Sequence, residues 1–291
     1  MDFISSLFSF FLSEEKRTFL LHEHIRISLK KYPELRAQIP AAWPAHTKYD
    51  ITDKRMKAFQ QDRLNKNLEG MNMVLMLHNL ESFSTNRKSK EVFSSIFEAI
   101  EWFCKEMIGK PGAKTIIEPL WTSSWDPLRF WGVVSEIFYT KMIVSNGFQI
   151  DGFDRTITGS TKTADIATIW KGTKTWIDIE ALALKTISGS DADFRKLVED
   201  RANKKMNDKF SAIDPNDLGV VASIYRLTNK ENLSKFKYLN DATKPVGGPT
   251  KNVGTNIYWL VVGKHIEPSE GEGYALHLVD RTKKTEVIKD K

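Results

Sequence analysis

The sequence predicts an α/β fold, with a central mixed sheet flanked by helices and preceded by an all-helical module. Three observations predict it. Apolar residues recur at helical spacing through the first part of the chain. After Gly147 the period shortens to two, in runs rich in β-branched and aromatic residues. Clusters of glycine, proline and asparagine separate the runs where the period changes. The division into a helical module over 1–122 and an α/β core over 123–291 follows from that change.

Ser13, followed by Glu14 and Glu15, is an N-cap for a helix to Leu29, with Phe19, Leu20, His24 and Ile27 at helical spacing. The preceding MDFISSLFSFFL lacks a basic flank and a small-residue cleavage pattern, so it reads as a short docked helix rather than a secretion signal. Pro33, Pro40 and Pro44 mark a break. Helices are expected over 53–66 and 68–82, the second filled with core methionines at 71, 73 and 76. Ser89 opens an amphipathic helix whose stripe is Val92, Phe93, Ile96, Phe97, Ile100, Phe103 and Met107, and Lys110-Pro111-Gly112 stops it. An aromatic stretch from Trp121 to Trp131, broken at Asp126-Pro127, leads into an apolar helix that Asn146-Gly147 ends.

Strands are expected at 148–158, 163–170 and 174–184, forming a three-stranded meander. A charged helix over 191–210 follows, with Ser190 and Asp193 in capping-box spacing. Apolar strands at 218–226 and 256–263 flank a polar stretch containing Gly247-Gly248-Pro249.

Composition narrows the chemistry. An apolar share of 41% over 291 residues supports a packed core. With 43 basic and 37 acidic residues, the net charge of +6 permits a polyanionic partner without demanding one. The lone Cys104 excludes an intramolecular disulfide and a cysteine zinc site, and suits a reducing cytoplasmic setting. No apolar run approaches the roughly 18 residues that cross a bilayer. His22 and His24 sit about 200° apart on a helix and form no chelating pair. The 247–254 loop lacks the Gly-Lys-Ser/Thr ending that holds nucleotide phosphates, and there is no Gly-x-Ser-x-Gly elbow.

The chemistry that remains is carboxylate chemistry. If Gly172 and Thr173 form the turn between the second and third strands, counting outward sets Asp165 opposite Glu180, with Asp178 and Leu182 on the same face. Ile166, Ile169, Trp176, Ile177 and Ile179 are expected to be buried around them. Like charges grouped in apolar surroundings cost several kcal/mol unless protons or a cation relieve them. A hard divalent cation, Mg²⁺ or Mn²⁺, matches such oxygens.

A helix carrying Glu136, a meander with acids on its second and third strands and then a basic helix together resemble the PD-(D/E)XK nuclease superfamily over 127–226. The resemblance implies a restriction-endonuclease-like core and metal-dependent phosphodiester hydrolysis in nucleic acid, DNA rather than RNA. Carried over by position, Asp165 and Glu180 are the metal-holding strand acids and Glu136 the assisting helix acid. Ala164 stands where the family has proline, and Leu182 where it has lysine. Three accounts of that lysine follow. Asp178-Ile179-Glu180 resembles the variant in which an acid takes its place, with Asp178 helping to hold metal or water. Alternatively, Lys204 or Lys205 has taken over the role from the next helix. In the third account the site is inactive and the fold only binds nucleic acid. Arg201, Lys204 and Lys205 have i, i+3 and i+4 spacing and, with Lys209, are expected to meet phosphates. The helical module is expected to bind DNA, pair two copies of the chain or recruit a protein partner.

Overall fold

The structure is a computed structural model that describes residues 14–43, 71–82, 85, 87–184, 200–201, 204–205, 207–227, 257–269 and 273–279. At 14, 88, 181–184 and from 223 onward the description is of the backbone. The segment before Ser13, the 53–66 helix, the capping box at 190–193 and the 247–254 loop lie outside the described residues. Two compact units form: Met1–Ile108 with Ile117–Phe138 and Pro268–Ala275, and Gly109–Ile116 with Tyr139–Glu267 and Leu276–Lys291. The helices are α1 (Glu14–Lys30), α2 (Pro33–Gln38), α3 (Met73–Glu81), α4 (Arg87–Met107), α5 (Ala113–Ile117), α6 (Pro119–Thr122) and α7 (Pro127–Ser145).

In the helical unit α4 buries the stripe its sequence announces, from Val92 to Met107. The α1 helix does not bury the side its apolar residues suggest. Phe19, Leu20 and Ile27 are 63%, 39% and 38% exposed, while Leu21, Ile25, Ser28 and Leu29 face inward. Their partner is α3, whose residues Met73 to Leu77 are all fully buried. The inward serine is what obscures the stripe: buried Ser28 donates its hydroxyl to Leu77 O at 2.8 Å, a bond that joins the two helices. The expected break falls at Lys31-Tyr32, and Pro33 is the first residue of α2, where a missing N–H costs nothing. The next free N–H groups, of Glu34 and Leu35, donate to the Glu101 carboxylate on α4 at 2.9 and 2.8 Å.

The strands are β1 (Gln149–Thr156), β2 (Thr163–Trp170), β3 (Thr173–Leu184), β4 (Leu218–Leu227), β5 (Ile257–Ser269) and β6 (Gly273–Val279), in a sheet of order β1-β2-β3-β4-β5-β6; the second unit holds β1 to β4 whole, β5 to Glu267 and β6 from Leu276. The first three strands are antiparallel, and β3, β4 and β5 run parallel, so the sheet is mixed and the class is α/β. A parallel neighbour requires a crossover, and helical residues between 200 and 210 lie on the one joining β3 to β4. The sequence reading missed β6.

The β2–β3 turn is Lys171-Gly172, at φ 49° and 82°, and Trp170 pairs with Thr173. This corrects the expected turn at Gly172-Thr173. Both central positions need positive φ in the turn that matches strand twist, and β-branched Thr173 is poorly suited to it. The register therefore slides by two: Ile166 pairs with Ile177, which sets Asp165 opposite Asp178 rather than Glu180. A slip of two keeps each side chain on its face. Ile169, expected to be buried, is 41% exposed beside this turn.

Strand β1 is a sheet edge, and the chain before α5 covers it: Phe153 donates its N–H to Pro111 O at 2.8 Å. That approach needs glycine at 112. Gly112 has φ 76°, and a Cβ there would lie 2.1 Å from Phe153 O, whereas one at Gly109 would meet nothing within 4 Å. We expect Gly112→Ala to cost more than about 2 kcal/mol and Gly109→Ala less than about 1, measured by urea unfolding. Equal costs would show that the edge strap contributes little.

Candidate active site on the β2–β3 face

Strand alternation places Asp178 and Glu180 of β3 on one face, and the register adds Asp165 of β2 beside Asp178. The Asp165 carboxylate is held in place by the Ile179 N–H, which donates to its Oδ2 at 2.6 Å. Asp178 is fully buried. A carboxylate there needs compensating charge, and two lysines supply it. Lys205 Nζ donates to Asp178 Oδ2 at 2.6 Å and to Ile179 O at 3.1 Å. Lys209 Nζ lies 3.1 Å from Asp178 Oδ1 and donates to Thr163 O at 2.9 Å.

The helix that carries both lysines is positioned by packing. Lys205 and Lys209 are four apart and so project from one helix face. The next residue, Phe210, is buried, and its ring lies over Gly219 so closely that a Cβ would sit 2.9 Å from it. Gly219 pairs with Trp176 across β3 and β4, two residues before Asp178. Trp176 is itself fixed by donating Nε1–H to Asp217 at 2.7 Å, with Lys174 Nζ 4.4 Å from its ring centroid. The small Gly219 thus lets Phe210 seat the helix, and the seated helix carries its ammonium groups over the acids.

The charges perturb one another. Burial, and then the neighbouring Asp178 charge, push the Asp165 carboxyl up to about 6, while the Ile179 N–H and the two lysines pull the other way. Burial also raises the Glu180 carboxyl, opposed by Lys205 and Arg201. Burial disfavours the Lys205 ammonium, but Asp178, Asp165 and Glu180 together outweigh it and raise its pKa. Two buried oxygens, Asp178 Oδ1 and Glu180 Oε2, have no hydrogen-bond partner; Lys209 is near enough to the first for an ion pair but not aligned for a bond.

The second unit thus brings together Asp165, Asp178, Lys205 and Lys209, with Glu180 and Arg201 in their electrostatic field. Lys204 is exposed beside Lys205. Glu136 is half-buried on the stretch of α7 that belongs to the helical unit. Sequence reasoning assigned Lys209 to phosphates alone and missed its contact with Asp178, although its i+4 spacing from Lys205 was the signal. Asp154 on β1 is exposed, at φ 48°, and accepts from the Thr115 hydroxyl at 2.9 Å.

No protein-family model matches the sequence, and no curated protein matches it. Among solved structures, Pyrococcus furiosus SfsA in complex with Ca²⁺ is similar over 52% of this chain and 62% of that one, with 12% identity and a TM-score of 0.25. The match thus spans less than two thirds of SfsA, and a likeness so slight carries neither fold nor function across. Among the described residues no helix is long and apolar enough to cross a membrane. Nor do three histidine, cysteine, aspartate or glutamate side chains group there as a metal-holding set.

The Asp165 shift has a measurable sign. A carboxyl whose folded pKa is raised favours folding while protonated, below about pH 4, and that contribution is lost as pH rises through about 6. Asp165→Asn can still accept the Ile179 N–H but cannot ionise. In EDTA, its stability relative to wild type should therefore improve from pH 4 to pH 7.5, by on the order of 1 kcal/mol or more. A relative loss over that interval would show that Asp165 is stabilised as the anion.

Proposed function

We propose that the chain is a metal-dependent phosphodiesterase of the PD-(D/E)XK kind, built on a restriction-endonuclease-like core and acting on nucleic acid, DNA rather than RNA. The observation that carries this reading is Lys205. It delivers an ammonium to within 2.6 Å of Asp178, on the face that also holds Asp165 and Glu180, so a lysine reaches the acids although leucine stands at 182, two residues after Glu180. Of the three accounts of the missing lysine, this supports relocation to the helix, by Lys205 and not Lys204. The preference for DNA rests on the family resemblance alone.

The donor chemistry fits a hard cation. Asp178 Oδ1 and Glu180 Oε2 are buried oxygens without hydrogen bonds, and Mg²⁺ or Mn²⁺ needs few carboxylates because it keeps waters and accepts substrate oxygens. Those two oxygens would be its protein ligands, with Asp165 beside Asp178 as the neighbouring acid rather than the third member of a ready-made set. When bound, such an ion polarises a phosphoryl oxygen and lowers the pKa of a coordinated water. The protein's own part is positional. The Ile179 N–H orients Asp165, Lys205 fixes Asp178 and places positive charge beside the site of attack, and Arg201, Lys204 and Lys209 offer cations to neighbouring phosphates.

A second reading, an inactive nucleic-acid-binding protein with the same core, draws support from the two lysines that already neutralise Asp178. Cleavage of supercoiled plasmid, single-stranded DNA and RNA with Mg²⁺ or Mn²⁺ separates the two. We expect metal-dependent cleavage of DNA that falls at least about a hundredfold in Asp165→Ala, Asp178→Asn and Lys205→Met. DNA binding without cleavage, in wild type and variants alike, would favour the inactive reading, and neither binding nor cleavage would defeat both.

A further inference from the structure

The two lysines on Asp178 are not equivalent. Lys205 makes two hydrogen bonds, to Asp178 Oδ2 at 2.6 Å and to Ile179 O at 3.1 Å, so its ammonium is bound to both the acid and the strand that carries it. Lys209 makes its hydrogen bond elsewhere, to Thr163 O at 2.9 Å, and approaches Asp178 Oδ1 at 3.1 Å out of alignment. That oxygen belongs to a fully buried side chain and is left without a hydrogen bond. Lys209 thus provides charge where it provides little bonding.

Resting on the proposed function, we infer that Lys209 is a placeholder cation: it neutralises Asp178 Oδ1 until a divalent ion binds, and then gives way to it. The carboxylate needs a positive neighbour at all times because it is buried, and a single lysine on Oδ2 leaves the other oxygen bare. An ammonium whose hydrogen bond goes to the Thr163 carbonyl meets that need by charge alone, so an incoming cation breaks no directed bond to Asp178 Oδ1. With its side chain 28% exposed, it can shift toward solvent without crossing the core. The cost is competition. A metal ion must displace a charge already in place, so Lys209 weakens metal binding and keeps the acids neutralised until metal is abundant. Lys205, bonded on both sides, stays.

The test is Mn²⁺ binding to the full chain, read from the electron paramagnetic resonance of free Mn²⁺ at fixed ionic strength, a readout independent of cleavage. We expect Lys209→Met to bind Mn²⁺ at least about tenfold more tightly than wild type. Lys209→Arg, which keeps the charge, should stay near the wild-type affinity. Lys204→Met, which removes an exposed neighbouring charge, should gain less than about twofold and so measures the general field effect. Circular dichroism confirms that each variant is folded. Wild-type binding that Lys209→Met leaves unchanged, or improves no more than Lys204→Met does, would overturn the placeholder and leave the metal site standing. Failure of every folded variant to hold Mn²⁺ at millimolar concentration would overturn the placeholder and the metal-dependent reading together. If Lys209→Met fails to fold, Lys209→Gln takes its place with the same expectation.

Discussion

The burial of Asp178 is the constraint on which the second unit turns. A carboxylate with no exposure cannot keep its charge without cations, and removing one partner of such a pair typically costs about 3–5 kcal/mol. The cations come from a helix that β3 does not contain, so the strand's stability depends on where that helix is seated. Phe210 over Gly219 provides the seat, and Gly219 lies beside Trp176 in the parallel pair of β3 and β4. Aromatic packing, strand register and ion pairing thereby become one cooperative arrangement. A larger residue at 219 would displace Phe210 and, with it, the ammonium groups that make a buried Asp178 tolerable.

Much of this was legible in the sequence, and what was not has identifiable causes. The meander was read to within about two residues at each end, a normal boundary uncertainty, because alternation and turn clusters agree there. Its register was not, because two adjacent residue pairs, Lys171-Gly172 and Gly172-Thr173, compete for the turn. The deciding physics was available: a lysine at φ 49° costs on the order of 1 kcal/mol, less than a β-branched threonine in that conformation. Counting glycines was not enough. Because the error was an even number, the face assignment of Asp165, Asp178 and Glu180 survived it, while the identity of the facing pair did not.

The helical unit shows the complementary limit. The α4 helix has one apolar stripe and buries it, so periodicity alone sufficed. The α1 helix carries apolar residues on two sides and a serine on the side that is buried, and only the position of α3 decides between them. Ser28 is tolerated inside because its hydroxyl reaches a backbone carbonyl on α3. A tertiary hydrogen bond of this kind leaves no periodic trace.

The lysine question shows what geometry adds to a motif. A lysine two positions after a strand acid lies on the acid's own face by alternation, so its placement requires nothing beyond the strand. A lysine supplied by the crossover helix depends on helix seating, which here requires Phe210 and Gly219, residues with no chemistry of their own. In return the helix brings more than one cation, since positions four apart share a face, and the strand acid gains both Lys205 and Lys209. One ammonium is hydrogen-bonded to the acid, while the other is hydrogen-bonded to Thr163 O and meets the acid only as an ion pair. A strand lysine cannot divide those roles, because its neighbours at spacing two are the acids themselves. With leucine at 182, the cations beside Asp178 come from the helix alone, and the difference between Lys205 and Lys209 follows from where each makes its hydrogen bonds.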